Sequence, residues 1–213
     1  MDPLTGISRR TALLLLVILV VGIVASTVAT VLESRADPGC PTEAYGCAEI
    51  RPGQPIRLGL MTVGPGGAEA AAEVSAVLQA RGEALLGHRV VVAHRGGACT
   101  AEAGAEAARD LTDPPAEAPD VVGSVGLACP RAMTPAAQIL SDTGQVLVAA
   151  SDEPLLGAAG DPAFFLRAEG AGAAAEAILE AIGTVAVWNG DNLLVPRTDL
   201  RDALLEAGLG RAA

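Results

Sequence analysis

Short apolar runs alternate with alanine-rich stretches along the chain from residue 56 onward. The apolar runs have the length of strands, and the alanine-rich stretches are long enough for helices of about two to four turns. The predicted strands span residues 56–61, 89–93, 120–125, 146–150 and 164–167, a short apolar run lies at 193–195, and the predicted helices span residues 67–79, 101–111, 134–140, 171–188 and 196–207. A repeated strand, helix, strand order is typical of right-handed crossovers. Residues 56–213 are therefore predicted to form one α/β domain in which a parallel sheet lies between two layers of helices.

An uncharged run of 22 residues, Thr11 to Leu32, precedes this domain. As a helix it is about 33 Å long, which is enough to cross a hydrocarbon core of about 30 Å. Arg9 and Arg10 stand on its N-terminal side, so the positive-inside rule predicts that residues 1–10 are cytoplasmic. The chain is then a single-pass protein of the cell membrane with a periplasmic or extracellular main domain. A cleaved signal peptide is the alternative, because residues 28–30 offer a small residue at a possible cleavage point.

Gly22, Ser26 and Thr30 recur every four residues within this apolar run. On a helix they form a stripe of small residues that lets another helix approach closely. The stripe is a candidate helix contact. The alternative is that small residues are simply common in spanning helices.

The four cysteines all follow the apolar run, so they are predicted to lie outside the cytoplasm. An even number of cysteines in an oxidising compartment indicates two disulfides. Cys99 follows the second predicted strand and Cys129 follows the third, and the carboxyl ends of parallel strands share one edge of the sheet. We therefore expect a Cys99–Cys129 bond, together with a Cys40–Cys47 bond that staples the linker predicted at residues 33–55.

The charge of the chain, with 14 Lys and Arg against 25 Asp and Glu, excludes nucleic acid as a partner. A formal net charge of -11 repels a polyanion, and the chain contains no basic stripe with interleaved aromatic residues.

The sequence also lacks the motifs of an enzyme or a metal site. The turn at residues 63–67 has neither GxGxxG spacing nor a lysine, and the chain contains no GxSxG element. His88 and His94 are predicted to lie on one side of a strand, too far apart for one metal, so both are interpreted as ordinary surface or strand-end residues. We expect no cofactor, no metal and no catalytic activity.

Four segments in the first part of the domain resemble the first lobe of type I periplasmic binding proteins. They read CAEIRPGQPIRLGL at 47–60, LLGHRVVVAHRGGAC at 85–99, VVGSVGLAC at 121–129 and TPAAQILSDTGQVLVAASDEP at 134–154. They are most similar to the branched-chain amino-acid-binding group of ABC importers. In that group two α/β lobes close on an amino acid, and two cysteines placed like Cys99 and Cys129 are bonded.

The C-terminal segment AAEAILEAIGTVAVWNGDNLLVPRTDLRDALLEAG, at 174–208, is similar to the far C-terminal end of the same receptors. Family members carry a whole second lobe between this segment and the preceding ones. Only residues 157–172 separate them here, so the resemblance implies a single lobe.

The ligand positions of the family are altered in this chain. Where the family has a small hydroxyl residue after the second cysteine, to receive the ligand carboxylate, this chain has Pro130 and Arg131. Where a hydroxyl-rich stretch after the fourth strand helps to hold the ammonium, it has Ser151, Asp152 and Glu153. These five residues are expected to form a vestigial ligand edge or an interaction edge.

Together these features predict a non-catalytic, membrane-anchored domain that acts as an accessory or interaction subunit of a membrane protein complex. The predicted partners are the membrane and other subunits of such a complex. The alternative function is a receptor that binds an amino acid or an amine in an open cleft and feeds an ABC transporter. A single lobe cannot enclose a small ligand, which favours the first function over the second.

Overall fold

The computed structural model describes residues 45–113, 118–127, 129–150 and 164–211. None of the helices within these ranges is long and apolar enough to cross a membrane. Several sequence predictions lie outside the described residues: the apolar run 11–32 with Gly22, Ser26 and Thr30, the cysteine at Cys40, and the edge residues Ser151, Asp152 and Glu153.

The described residues contain ten strands and five helices. The strands are β1 (Cys47–Ile50), β2 (Ile56–Val63), β3 (Ala84–Leu85), β4 (His88–Gly97), β5 (Val121–Leu127), β6 (Val146–Ala150), β7 (Phe165–Ala168), β8 (Val187–Asn189), β9 (Asn192–Pro196) and β10 (Gly210–Arg211). The helices are α1 (Gly67–Ala80), α2 (Ala101–Thr112), α3 (Pro130–Asp142), α4 (Ala171–Val185) and α5 (Arg197–Glu206).

The main sheet has the strand order β10-β7-β6-β5-β2-β4-β3. The five strands from β7 to β4 are parallel, and the two-residue strands β10 and β3 add antiparallel pairs at the two sides. Strand β2 occupies a central position, because it pairs with β4 on one side and β5 on the other. The predicted α/β class with a mostly parallel sheet is therefore confirmed.

Successive side chains of β2 enter two separate hydrophobic clusters. Ile56, Leu58 and Leu60 pack in the cluster that contains residues of α1, α4 and α5, whereas Met61 and Val63 pack in the cluster formed with α2 and α3. A strand alternates its side chains between the two faces of the sheet, so the two clusters lie on opposite faces. Burial on both faces explains the nearly continuous apolar character of the parallel strands.

A second sheet, in the order β1-β9-β8, contains two segments that the sequence places elsewhere. Residues 47–50, within the predicted linker 33–55, form β1, because their alternating burial matches a strand that pairs with β9. The helix expected to reach Trp188 ends at Val185, since Ala186 has extended dihedrals and β8 follows. Gly190, with φ 59°, then turns the chain so that β8 pairs with β9.

Helices α2 and α3 approach each other closely at Gly104. A Cβ at this position would overlap the carbonyl oxygen of Ala132 and lie 2.7 Å from its Cα. Neither atom is the free end of a flexible side chain, so the two helix backbones would have to separate to admit a side chain. Gly104 thus sets the packing distance of the layer that borders the carboxyl-end edge.

We expect Gly104→Ala to lower the free energy of unfolding by about 1–3 kcal/mol, because overpacking at a backbone contact forces the helices apart. Gly183→Ala is the matched control, since it also lies in a helix but its added Cβ would meet only Leu85 Cδ1 at 3.9 Å. This control should raise the free energy of unfolding by about 0.5–1 kcal/mol through helix propensity. Urea denaturation of both variants measures the difference, and equal effects would contradict the close contact.

Candidate functional site

The carboxyl ends of the parallel strands are bridged by the Cys99–Cys129 disulfide. Cys99 follows β4, Cys129 follows β5, and their Cα atoms are 5.9 Å apart. The predicted bond is confirmed. The two cysteine loops are not neighbours, however, because β2 lies between β4 and β5. The disulfide therefore crosses over the loop that leaves β2.

Gly64 lies beneath this disulfide, in the loop after β2. Its φ is 115°, and an added Cβ would lie 3.4 Å from Cys129 Cβ and 3.5 Å from Cys99 Cβ. Its backbone nitrogen donates to the carbonyl oxygen of Gly97, the last residue of β4, at 3.0 Å. The loops after β2, β4 and β5 are thus joined by one covalent bond, one hydrogen bond and close contact.

This arrangement fills the place where open α/β sheets usually bind ligands. In such sheets the ligand crevice lies outside the carboxyl ends of the strands, where the connections change direction. The chain moves from β2 to β4 on one side and returns to β5 on the other, so the change of direction lies at β2. The disulfide and Gly64 lie at that point, and a groove opens beside the disulfide.

An open groove of about 580 Å³ lies beside the disulfide, between the first turns of α2 and α3. Thr100 caps α2, and its hydroxyl accepts a hydrogen bond from Ala103 N at 3.2 Å. The hydroxyl of Thr134 donates to the carbonyl oxygen of Pro130 at 3.0 Å. Both hydroxyl groups of the groove are therefore engaged with their own helices. Glu102, Arg131, Pro135 and Gln138 complete the lining.

The structure describes two of the five predicted edge residues, and one of them, Arg131, lines this groove. Pro130 is the first residue of α3, where proline is well accommodated, and it is exposed. Arg131 is exposed, lines the groove and forms no ion pair with the residues that the structure describes. Residues 151–153 follow directly after β6 but lie outside the described ranges, so they are not part of this geometry.

Both histidines have partners that the sequence does not reveal. His94 Nε2 lies 2.6 Å from the hydroxyl oxygen of Thr62, on the neighbouring strand β2, and Thr62 is buried. His88 is buried rather than exposed, and its Nδ1 lies 2.8 Å from the carbonyl oxygen of Gln54. Across the described ranges, no three His, Cys, Asp or Glu side chains are grouped closely enough to hold a metal ion.

A second exposed feature lies on β8, the outer strand of the small sheet. Val187 is 49% exposed and Trp188 is 56% exposed, and the Trp188 ring stacks on His88 with centroids 5.7 Å apart. The sequence pattern predicts Trp188 at the end of a helix and does not indicate that its side chain is exposed. Recognition of Gly190-Asp191 as a hairpin loop would have placed Trp188 on a strand instead.

Comparison of the chain with protein-family models, with curated proteins and with solved structures gives no match.

The Cys99–Cys129 bond should be present in the isolated protein and should stabilise it. Replacing both residues by alanine removes the restraint on a 31-residue loop, which in the chain-entropy model lowers the free energy of unfolding by up to about 3.7 kcal/mol. Chemical denaturation of the oxidised protein and of this double variant measures the loss.

Cys47 is also disulfide-bonded, and its partner lies outside the described residues. A second double variant, Cys40→Ala with Cys47→Ala, provides the comparison. If these two cysteines are bonded, as predicted, the loop is much shorter and the loss should not exceed about 2.5 kcal/mol. Thiol labelling of the unreduced, denatured protein should find no free cysteine, and labelling at Cys99 or Cys129 would contradict the pairing.

Proposed function

We propose that this chain is a membrane-anchored, non-catalytic domain related to one lobe of the type I periplasmic binding proteins. It acts as an accessory or interaction subunit of a membrane protein complex, with its domain outside the cytoplasm. The segments quoted above support the family, and the α/β sheet is compatible with a single lobe. The uncharged run at residues 11–32 supports the anchor.

One observation carries the proposal: among the described residues, the groove beside the Cys99–Cys129 disulfide is open and is formed by a single lobe. Sites that bind small molecules well bury about 70–90% of the ligand surface, which an open groove on one lobe does not achieve. The short chain between β6 and β7, residues 151–164, also leaves little room for a second lobe. An exposed groove that cannot close over a small ligand is better suited to bind another protein.

The groove presents both charged and apolar side chains to a partner. Glu102 and Arg131 supply opposite charges on its two helices, and Pro135 adds apolar surface. Charged side chains of this kind usually lie at the polar rim of protein interfaces, where they steer association and fix orientation. We therefore place the docking surface at the first turns of α2 and α3.

A receptor for an amino acid or an amine is the second candidate function. The groove favours it in one respect, because Arg131 and the amino-terminal ends of α2 and α3 are suited to a carboxylate. The Thr134 hydroxyl counts against a carboxylate there, since its one donor already bonds the carbonyl oxygen of Pro130, whereas the Thr100 hydroxyl keeps its own donor.

We expect Arg131→Glu to weaken association with the partner complex by roughly tenfold, about 1.4 kcal/mol, because it reverses the charge that this side of the groove presents to the partner. Arg89→Glu is the matched control, since Arg89 is also exposed but lies at the opposite end of the sheet. The amount of partner recovered after mild detergent extraction measures both effects.

The anchor can be tested in the same assay. Gly22→Leu combined with Ser26→Leu should reduce recovery if the small-residue stripe is the helix contact. A wild-type protein that migrates alone as a monomer in mild detergent would refute the accessory function.

Calorimetry separates the two candidate functions. We expect no heat of binding that depends on Arg131 for leucine, isoleucine or valine at millimolar concentration, because the open groove of a single lobe leaves most of such a ligand in water. Saturable binding that Arg131→Ala abolishes would establish the receptor function instead.

A further inference from the structure

A polar pocket of about 270 Å³ lies at the amino-terminal edge of the sheet, opposite the disulfide. It is formed where β5, β6 and α5 begin, and its lining includes Tyr45, Asp120, Val121, Thr143, Gln145 and Arg197. Its position makes it independent of the groove and of the proposed docking function.

Gln145 lines this pocket and has an unused acceptor. The residue is 2% exposed, and its Nε2 donates to the carbonyl oxygen of Val121 at 2.7 Å. Because a carbonyl only accepts, this bond fixes the amide orientation. The other amide atom, Oε1, is buried and has no hydrogen-bond partner among the described residues. A buried acceptor of this kind calls for a donor.

Arg197 supplies a guanidinium with spare donors. Its side chain is 14% exposed, Nη1 donates to the carbonyl oxygen of Thr143 at 2.7 Å, and Nη2 lies 3.6 Å from Asp120 Oδ2. That separation exceeds a hydrogen bond, so the guanidinium retains free N–H groups. Burial lowers the pKa of Arg197, and Asp120 opposes this shift.

A second guanidinium group lies close to Asp120. Asp120 also faces Arg57, whose Nη1 donates to the carbonyl oxygen of Pro119 at 2.8 Å and whose pKa is lowered by burial. The carboxylate of Asp120 thus faces two partly buried guanidinium groups, although the chain as a whole has a net charge of -11. A partly buried guanidinium that shares one carboxylate with another and keeps free N–H groups can pair with an added anion.

Tyr45 gives the pocket a fixed wall. Its ring packs edge to face against Phe164 with centroids 4.7 Å apart. A Cβ on Gly144, which has φ 67°, would overlap the Tyr45 side chain, so the tyrosine lies directly on the backbone before Gln145. The pocket is therefore bounded by packed groups.

We propose that this pocket binds a small carboxylate that carries a hydrogen-bond donor on the adjacent carbon. Its carboxylate pairs with Arg197, and its donor, a hydroxyl or an ammonium, reaches Gln145 Oε1. Asp120 distinguishes the two donors, because a carboxylate beside the site favours an ammonium over a hydroxyl.

Three probes that share one carbon skeleton test this proposal: propionate, L-lactate and L-alanine. They differ only in the group on the carbon beside the carboxylate, which is hydrogen, hydroxyl or ammonium. Binding to the full-length protein in detergent is followed by the NMR signals of the Gln145 side-chain amide and the Arg197 Nε–H. We expect lactate, alanine or both to bind at least tenfold more tightly than propionate, since propionate leaves the Gln145 acceptor unpaired.

The better of the two donor-bearing probes identifies the ligand class as hydroxy acid or amino acid. Equal affinity for all three probes would overturn the role of Gln145. Absence of binding by all three at millimolar concentration would show a pocket that holds solvent only, and it would overturn the proposal. Neither result depends on a variant, so neither can be confused with misfolding.

Variants then assign the contacts. Gln145→Leu should bring the affinity for the donor-bearing probes down to that for propionate without changing propionate binding. Arg197→Gln should abolish binding of all three probes. Arg89→Gln, at an exposed position outside the pocket, should leave all affinities unchanged. Failure of the docking experiment on Arg131 would leave these results unaffected, because the groove and the pocket lie at opposite edges.

Discussion

Pairing of β2 on both sides is the constraint on which the rest of the structure depends. Eight residues of β2 pair with β4, and the same strand pairs with β5 on its other side. This double pairing sends alternate side chains into two hydrophobic clusters and fixes the layers of helices. It also places Cys99 and Cys129 on either side of Gly64, so the disulfide follows from the strand order.

The core is packed through close contacts between small residues and contains few aromatic side chains. Only 2% of the residues are aromatic, and much of the buried surface comes from alanine, valine and leucine. Helices with small residues at their contacts can approach to backbone distance, as α2 and α3 do at Gly104 and Ala132. Such contacts tolerate little change in volume, because the atoms that would have to move belong to the backbone.

Local patterns in the sequence predict the five parallel strands of the main sheet and the helices that cover them, and parallel pairing predicts the disulfide. The small sheet could not be predicted in the same way. Strand β1 is four residues long and gains its burial from β9, about 145 residues later in the chain. The alanine-rich pattern contains no stop signal, so it predicts a helix that continues to Trp188. The helix ends at Val185 instead, and Gly190 turns the chain after β8.

The pocket at Gln145 shows a different limit of sequence patterns. Arg197 reaches the carbonyl of Thr143 across 54 residues, and Gln145 reaches Val121 across 24. Each of these residues alone looks like an ordinary polar position at the end of an element. Their chemistry appears only when the amino-terminal ends of β5, β6 and α5 are brought together by the fold.

The groove and the pocket lie at the two ends of one helix. Helix α3 begins beside Cys129 and ends at Asp142, just before Thr143, so its 13 residues span about 20 Å between the two places. Coupling between two sites requires an element with two arrangements that both ligands bias. The disulfide holds the beginning of α3, the contact with Gly104 holds its first turn, and the Arg197 contact with Thr143 holds its far end. With α3 held at three points, we expect occupancy of the pocket to leave the groove unchanged.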